Sequence, residues 1–257
     1  MINKGIMDQE IHEKSIVYFN SNNKVQGNHS NGKMVVNNHL LKVKKIGVKS
    51  IKMYNSFYNI TSLNNTIGFN ENGTLNALTI AVGNYTLTEV LNLVKTEINA
   101  VAVDTWDWAF NVNTGKVTWA STLSTTGAFI IDATSKESVI YGLATDLGHK
   151  TQAGQAHPVV SDSLPDIDIS EVLVEMKGLN NVHTHNKYLK SVLYTVPIST
   201  VGFGSMFSAE HSNIYFHDLS KDGSNIHDIT YSLRDTNHNV LDNHGVPWSM
   251  ELVCLHQ

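Results

Sequence analysis

The sequence contains a single cysteine, Cys254, among its 257 residues. An intrachain disulfide framework and a metal site built from several cysteines are therefore excluded. A lone cysteine in an apolar stretch is typical of a small core residue. The sequence also lacks an apolar run long enough for a membrane span or a signal peptide, which predicts a chain without membrane segments, made in a reducing, cytosol-like compartment.

Charge is also scarce in this chain. Charged residues make up 16% of the sequence and the formal net charge is −5, so no strong overall field attracts nucleic acid or an anionic membrane. We therefore do not expect a nucleic-acid partner. Apolar residues make up 41%, which is enough to bury a substantial core as one large domain or two small ones.

The distribution of polar and β-prone residues predicts the domain organisation. Residues 1–35 are polar and rich in Asn, which predicts a flexible N-terminal arm. Short β-prone runs separated by turn residues follow at 36–79 and again at 156–257. Many short strands with turn-rich loops predict a mainly β fold, an antiparallel β-sandwich of the jelly-roll kind. Asn72-Gly73 lies between two β-prone runs and predicts a hairpin.

The segment 80–155 has a different pattern and predicts an inserted α/β unit. Thr86 and Glu89 form a capping box, which marks a helix start because the two side chains accept from free backbone N–H groups. Apolar residues then recur at the spacing that places them on one helix face: Leu87, Val90, Leu91, Val94, Ile98 and Val101. This pattern predicts the first helix of the unit.

A β-meander and a second helix are predicted to complete the inserted unit. Two alternating runs flank Asn113-Thr114-Gly115, which predicts a hairpin, and the run at 127–132 predicts a third strand. Thr134 and Glu137 form a second capping box and predict a short helix after it. The unit therefore reads as helix, β-meander, helix.

The segment from Trp248 onward predicts a core strand. Trp248, Met250, Leu252 and Cys254 occupy alternate positions. Alternation places these four side chains on one face of a strand, and their apolar character predicts that this face is buried.

Histidines raise the possibility of a metal site. His183 and His185 lie two residues apart, so on a strand they would share a face and could bind one ion, as in cupin enzymes. Such sites also need a nearby carboxylate, and the stretch "NKYLKS" that follows His185 contains none. We therefore predict no metal, no cofactor and no enzymatic activity.

Five lysines form the one dense basic segment, and they are interleaved with apolar residues. Such a strand could present a basic face to another subunit, to an acidic neighbour or to packaged nucleic acid. Alternatively, lysines protect an edge strand against unwanted pairing. The candidate subunit-contact residues are Lys42, Lys44, Lys45, Lys49 and Lys52.

Four tryptophans could line a sugar-binding surface, as aromatic residues do in lectin-like sandwiches. Trp106 and Trp108 share one strand face, which favours packing beneath the helix at 87–103. Core packing is therefore the preferred interpretation of these residues, with Trp119 and Trp248 in the same role.

Four segments follow one another in the chain: "YNITSLNNTIGF", "LTIAVGNYTLTEVLNLVKTEI", "FNVNTGKVTW" and "VIYGLA". Their order resembles a series in structural proteins of large eukaryotic double-stranded DNA viruses, virophages and polinton-like viruses. In that series a strand ending in Gly-x-Tyr enters a helix, a hairpin follows, and an apolar element with Leu and Gly closes the unit. The segment "DITYSLRDTNHNVLDNHGVPWSMELV" is similar to the C-terminal pattern of the same proteins.

This resemblance implies a capsid building block of the penton or minor capsid type. Proteins of this family form icosahedral shells from jelly rolls, with pentamers of penton proteins at the vertices. The chain would then associate with itself and with other capsid proteins, and its location would be the virion, assembled in the host cytoplasm or nucleus. Trp248 to Leu255 would be the closing strand of the jelly roll, paired with the strand at about 227–234, and the arm would reach a neighbour.

Two other functions remain open. One is a virion surface module that binds a host ligand or glycan, which an exposed Trp106 or Trp119 would favour. A metal-dependent jelly-roll enzyme would require a carboxylate beside His183 and His185.

Overall fold

The computed structural model describes residues 13–71, 74–121, 142–148, 158–177, 191–219 and 223–256. The chain divides into two compact units. The first consists of Met1–Phe57 together with Ile169–Gln257, and the second of Tyr58–Asp168. Within the described ranges, no helix is both long enough and apolar enough to cross a membrane.

The described residues are mainly β-structure. The strands are β1 (Lys14–Asn20), β2 (Lys24–Gly27), β3 (Asn31–Tyr54), β4 (Thr66–Glu71), β5 (Thr74–Thr79), β6 (Trp106–Asn111), β7 (Lys116–Ser121), β8 (Val159–Val160), β9 (Val172–Met176), β10 (Val192–Val196), β11 (Met206–Glu210), β12 (Phe216–Asp218), β13 (Ser224–Arg234) and β14 (Ser249–His256). The helices are α1 (Leu87–Val101) and α2 (Gly142–Asp146).

The 24-residue strand β3 organises the first unit, because its two halves pair with different strands. Residues 31–43 pair with β13, and residues 43–52 pair with β14. On its other side, the second half pairs with β11 and β12. The sheet therefore has two parts, β1-β14-β3-β11/β12 and β3-β13-β9-β10, which share β3. All these pairings are antiparallel, as the pattern of short strands and turn-rich loops predicts.

One apolar core lies between the two parts of this sheet. Val17 and Met250 come from one part, Val174 and Leu233 come from the other, and all belong to a single buried cluster. Two sheet parts whose inner faces share one core form a β-sandwich.

The change of direction in β3 lies near Lys42. This residue has a φ of 55°, which a non-glycine residue rarely adopts, and the β3–β13 register shifts in the same region. Gly223 approaches closely here, since a Cβ at this position would lie 2.8 Å from the backbone of Lys42. A strand that passes from one layer of a sandwich to the other needs such a bend.

The N-terminal region differs from the predicted arm at 1–35. From Lys14 onward the chain forms β1, β2 and the start of β3, and Val17 and Phe19 are buried. The polar composition of the region concealed a short alternating apolar pattern. Residues 1–12 of the predicted arm lie outside the described residues.

The described residues of the second unit form a three-stranded sheet, a hairpin and two helices. β6, β7 and β8 form the sheet, and β4 pairs with β5. The pairing of Glu71 with Thr74 confirms the hairpin predicted at Asn72-Gly73. The buried face of α1 (Val90, Leu91, Val94 and Ile98) contributes to one core cluster with residues of both sheets.

Helix α1 begins as the sequence predicts. The side chain of Thr86 accepts from the backbone N–H of Glu89, and the Glu89 carboxylate accepts from the N–H of Thr86 at 2.8 Å. These two bonds satisfy N–H groups that have no partner within the helix. They also lower the pKa of the Glu89 carboxyl, because the bonds from Thr86 stabilise its charged form.

The limits of the second unit are wider than the predicted 80–155. The β4–β5 hairpin, predicted as part of the sandwich, supplies Ile67 and Phe69 to the core beneath α1. The described strand that pairs with β7 on its other side is β8 at Val159–Val160, which lies beyond the predicted limit of 155. The strand predicted at 127–132 and the capping box of Thr134 and Glu137 lie outside the described residues.

Candidate subunit-contact surface

Strand β14 is an interior strand of the first unit. It pairs with β1 on one side and with the second half of β3 on the other. The sequence-based expectation that it pairs with residues 227–234 is wrong, because those residues belong to β13 and pair with β9 and the first half of β3. The bend in β3 places β13 and β14 in different parts of the sandwich. The chain therefore crosses between layers from Arg234 to Ser249.

Four alternating side chains place this segment in the core. Trp248, Met250, Leu252 and Cys254 are all buried within the cluster of the first unit. Burial also raises the pKa of the Cys254 thiol to about 12, since the thiolate would lose its hydration. Cys254 therefore acts as a core residue, without the exposure and low pKa of a reactive thiol.

Contacts with two aromatic rings and several hydrogen bonds fix the position of Trp248. Its ring lies 4.6 Å from that of Phe19 and 5.5 Å from that of Tyr231, in an edge-on arrangement with the latter. Its indole Nε1 donates to the carbonyl of His29 at 2.7 Å, and its backbone N–H donates to Ser21 Oγ at 2.9 Å. The start of β14 is thereby connected to the segment between β1 and β3.

His29 is a titratable group within this connection. Its Nδ1 lies 2.9 Å from Ser21 Oγ and its Nε2 lies 3.1 Å from Lys24 Nζ. A lysine ammonium can only donate, so Nε2 accepts and the ring is neutral. Burial, together with the charge of Lys24, lowers the pKa of His29 below its usual value of 6.5.

The five lysines of the basic segment do not form one free basic surface. Lys49 Nζ lies 2.9 Å from the Glu251 carboxylate, and this hydrogen bond raises the lysine pKa. Lys45 Nζ lies 3.5 Å from the Asp218 carboxylate. Lys44 is half-buried. Two of the predicted contact residues therefore have intramolecular partners.

Lys42 and Lys52 are the exposed members of this segment, and neither forms an ion pair with another described residue. Lys42 lies at the bend of β3 and Lys52 lies near its end. The interpretation as a protected edge strand is wrong, because β3 pairs with β14 on one side and, at residues 45–47 and 50–52, with β12 and β11 on the other.

The outer face of β1 is an apolar surface that the sequence analysis missed. Ile16 is 49% exposed and Tyr18 is 70% exposed. Val17, which lies between them, and Phe19, which follows Tyr18, are buried. On the neighbouring strand, Val253 and Leu255 lie on the same face, opposite Ile16 and Lys14, but both are buried, so the exposed apolar groups are those of Ile16 and Tyr18. The alternation in "KSIVYFN" is the signal that could have identified this strand within the polar region.

A groove of about 270 Å³ lies beside β10. His211 Nε2 lies 2.8 Å from the Tyr194 hydroxyl, and His217 Nε2 lies 2.9 Å from the Leu193 carbonyl. Burial lowers the pKa of His217, although its bond to Leu193 opposes this change. The two histidines therefore connect β10, the last strand of one sheet part, with the region of β11 and β12, the last strands of the other part.

No group of three or more metal-binding side chains occurs in the part of the chain that the structure describes. His183 and His185 lie outside it, so the absence of a metal there stays a prediction. Elemental analysis of the purified protein and of a His183→Ala, His185→Ala variant tests it.

The tryptophans of the second unit are mostly internal. Trp106 and Trp119 are fully buried, and Trp108 is half-buried with its indole Nε1 3.1 Å from Asn92 Oδ1 of α1. The buried Glu71 carboxylate accepts from Trp106 Nε1 at 3.0 Å. Neither Trp106 nor Trp119 is available for the exposed aromatic surface that a glycan site needs.

A cleft of about 440 Å³ lies at the start of α1. Asn84–Leu87, Glu89 and Pro165–Asp168 line it. The carboxylates of Glu89, Asp166 and Asp168 make this cleft acidic, and Glu89 is already engaged in the helix cap.

No protein-family model matches the chain, and no curated protein sequence matches it. Among solved structures, it is similar to the crystal structure of the mavirus penton protein. The similarity covers 93% of this chain and 99% of that protein, with 9% sequence identity and a TM-score of 0.46.

Proposed function

We propose that this protein is a viral structural protein, a capsid building block of the penton or minor capsid type that acts by symmetric self-assembly. The order of strands in the first unit is the observation that carries the proposal. Two further observations, the positions of the sequence motifs and the burial of the tryptophans, support it.

The strand order fits a jelly roll when the two halves of β3 are counted separately. Taken in chain order, the eight strands are β1, the two halves of β3, β9, β10, β11 with β12, β13 and β14. The first then pairs with the eighth, the second with the seventh, the third with the sixth and the fourth with the fifth. Such nested antiparallel pairs roll into the two sheets of a jelly roll, an architecture frequent in viral capsids.

The sequence motifs that resemble capsid proteins occupy defined elements. Gly83 and Tyr85 lie immediately before α1, and the "NTGK" segment joins β6 to β7. The motifs of the last part of the chain cover β13 and β14. The elements therefore follow each other in the order that the resemblance implies.

The assembly role needs a surface that is not already satisfied within the subunit. We assign Lys42 and Lys52 to this surface, because both are exposed and lack an ion-pair partner among the described residues. Lys45 and Lys49 are not included, since Asp218 and Glu251 neutralise them. Acidic groups of another copy or of another capsid protein are the expected partners.

The oligomeric state of the purified protein tests the proposal. Light scattering after gel filtration should give a closed oligomer, and five times the 28.4 kDa of one chain would indicate a vertex protein. Electron microscopy should show rings or shells at higher concentration. A protein that stays monomeric at every concentration and salt level would contradict the proposal.

Charge reversal tests the assigned surface. Lys42→Glu with Lys52→Glu should weaken assembly, and the weakening should diminish at high salt because exposed charges are screened. Lys177→Glu is the matched control, since Lys177 is an exposed lysine of the same unit. Equal assembly of both variants would remove Lys42 and Lys52 from the contact.

A further inference from the structure

Strand β1 ends one part of the sandwich, and one of its edges is open with respect to the described residues. Its only hydrogen-bonded neighbour among the described residues is β14. The pairing runs from Lys14 to Asn20 without a register shift. The open edge is therefore a regular seven-residue strand, which is the form that a further strand can join.

Two hydrogen bonds show which backbone groups point toward this edge. His256 N–H donates to the Glu13 carbonyl, and Ser21 N–H donates to the Trp248 carbonyl, each at 2.9 Å. In an antiparallel pair, residues alternate between those bonded to the neighbour and those bonded outward. Ser15, Val17 and Phe19 therefore bond to β14, whereas the N–H and C=O groups of Lys14, Ile16, Tyr18 and Asn20 point to the open edge.

The open edge lacks the usual protection against pairing. Over Ser15–Phe19 it contains no proline, no charged side chain and no bulge. The side chains that flank its free backbone groups are the exposed Ile16 and Tyr18. A partner strand would therefore gain both backbone hydrogen bonds and apolar contact.

The sequence of β1 is complementary to itself when two copies run antiparallel and are centred on Val17. Ile16 of one copy then lies opposite Tyr18 of the other, and this pair occurs twice. Aromatic and β-branched residues form favourable cross-strand pairs. Lys14 lies opposite Asn20, so no like charges meet.

We propose that β1 is an interaction surface for a second copy of this chain, which adds its own β1 antiparallel across the open edge with Ile16 opposite Tyr18. The contact is isologous and generates a two-fold axis. It is therefore separate from the contacts that close a ring of subunits, and it goes beyond the proposed capsid role.

Proline substitution tests the open edge without disrupting the fold. The N–H of Ile16 points outward, so Ile16→Pro removes a donor of the contact and leaves the β1–β14 bonds in place. Ile16→Val keeps the N–H group and the β-branched side chain and serves as the matched control. Ile16→Pro should raise the dissociation constant of the two-fold contact at least about tenfold in sedimentation experiments, because two symmetric bonds are lost.

Oxidative cross-linking tests the register. In the proposed pairing, the Cα atoms of residues 16 and 18 of different copies lie about 5.5 Å apart, within disulfide range, whereas two copies of residue 16 lie about 7–8 Å apart. An Ile16→Cys, Tyr18→Cys double variant should form covalent dimers, and Ile16→Cys alone should not.

Several outcomes would overturn the inference. Equal association of the Ile16→Pro and Ile16→Val variants would do so, as would efficient cross-linking of the single variant. If deletion of residues 1–12 abolished the contact between copies, that segment would be the part of the chain that binds the edge of the other copy, in place of β1. Ring-shaped oligomers that persist in Ile16→Pro would leave the proposed function intact, so the two proposals can fail separately.

Discussion

The indole Nε1 of Trp248 donates to the carbonyl oxygen of His29 at 2.7 Å, although 219 positions separate the two residues. The same tryptophan is bonded to Ser21 through its backbone N–H and C=O groups. One residue therefore connects the last strand of the sandwich to the segment that follows the first, and its loss should affect both.

Replacement of Trp248 should strongly destabilise the first unit. Trp248→Ala removes a buried ring in contact with Phe19 and Tyr231, so the free energy of unfolding should fall by about 3–5 kcal/mol. Urea denaturation measures this change. Val25→Ala, at a side chain that is 64% exposed, should stay within about 0.5 kcal/mol of the parent. Similar losses for the two variants would show that Trp248 does not support the core.

Deletion of residues 249–256 should be more severe than any point substitution. β14 lies between β1 and β3, so its removal leaves both neighbours with unpaired edges. The expected product is aggregated protein without assemblies, seen by gel filtration and electron microscopy. A soluble, fully folded product by circular dichroism would contradict the position of β14.

The first unit should lose stability in mild acid through His29. Its pKa in the folded protein lies below 6.5, so as the pH falls below 6.5 the unfolded chain takes up a proton that the folded protein does not. The free energy of unfolding should therefore decrease from pH 6.5 down to the folded pKa. His29→Gln should show a smaller decrease than the parent between pH 7 and pH 5.

Lys24 supplies part of this effect and offers a second measurement. Lys24→Met removes the charge beside Nε2, so the His29 pKa measured by NMR titration should rise toward 6.5. An unchanged His29 pKa in this variant would show that the ammonium does not act on the ring.

Asp146 should reduce the stability of the second unit at neutral pH. Burial raises the pKa of its carboxyl above 3.8, and the charge of Asp166 acts in the same direction, against the hydrogen bond from Asn64. The contribution of the Asp146 carboxyl to the free energy of unfolding is fully present below pH 3.8. It is lost as the pH rises through the pKa of this carboxyl in the folded protein. Asp146→Asn should therefore raise the unfolding midpoint at pH 7 and lose this advantage near pH 3.

An exposed aspartate provides the comparison for this change. Asp168→Asn removes a charge from a side chain at the surface and should leave the midpoint almost unchanged. An equal rise in both variants would indicate a general effect of net charge and would argue against the burial of Asp146 as the cause.

The thiol of Cys254 should be unreactive in the folded protein. Its side chain is buried and its pKa is raised to about 12, so almost no thiolate is present or accessible at pH 8. Labelling with a chromogenic disulfide reagent should be slow in buffer and complete in denaturant. Rapid labelling of the native protein would contradict the burial of β14.

Sequence patterns predicted the elements whose formation depends on residues close together in the chain. The helical spacing from Val90 to Ile98 and the capping box of Thr86 and Glu89 involve residues within a few positions of each other, and α1 follows from them. The alternation from Trp248 to Cys254 likewise reports burial of one strand face.

The features that depend on distant pairing could not be read from such patterns. Alternation shows that β14 is buried but not which strands flank it, and the carboxylates that neutralise Lys45 and Lys49 come from β12 and β14. The strand β1 was hidden because its polar neighbours dominated the composition. The short alternation of apolar and polar residues in β1 specifies a strand only when β14 is present to pair with it.

The division of β3 between two sheet parts also determines when the first unit can form during synthesis. Residues 58–168 are contiguous, so the second unit can fold as soon as it leaves the ribosome. Strand β3 emerges earlier but must wait for β13 and β14, about 200 residues later in the chain, before its hydrogen bonds are complete. The nascent sandwich therefore exposes apolar strands throughout this interval, which makes it a substrate for chaperones until β14 is in place.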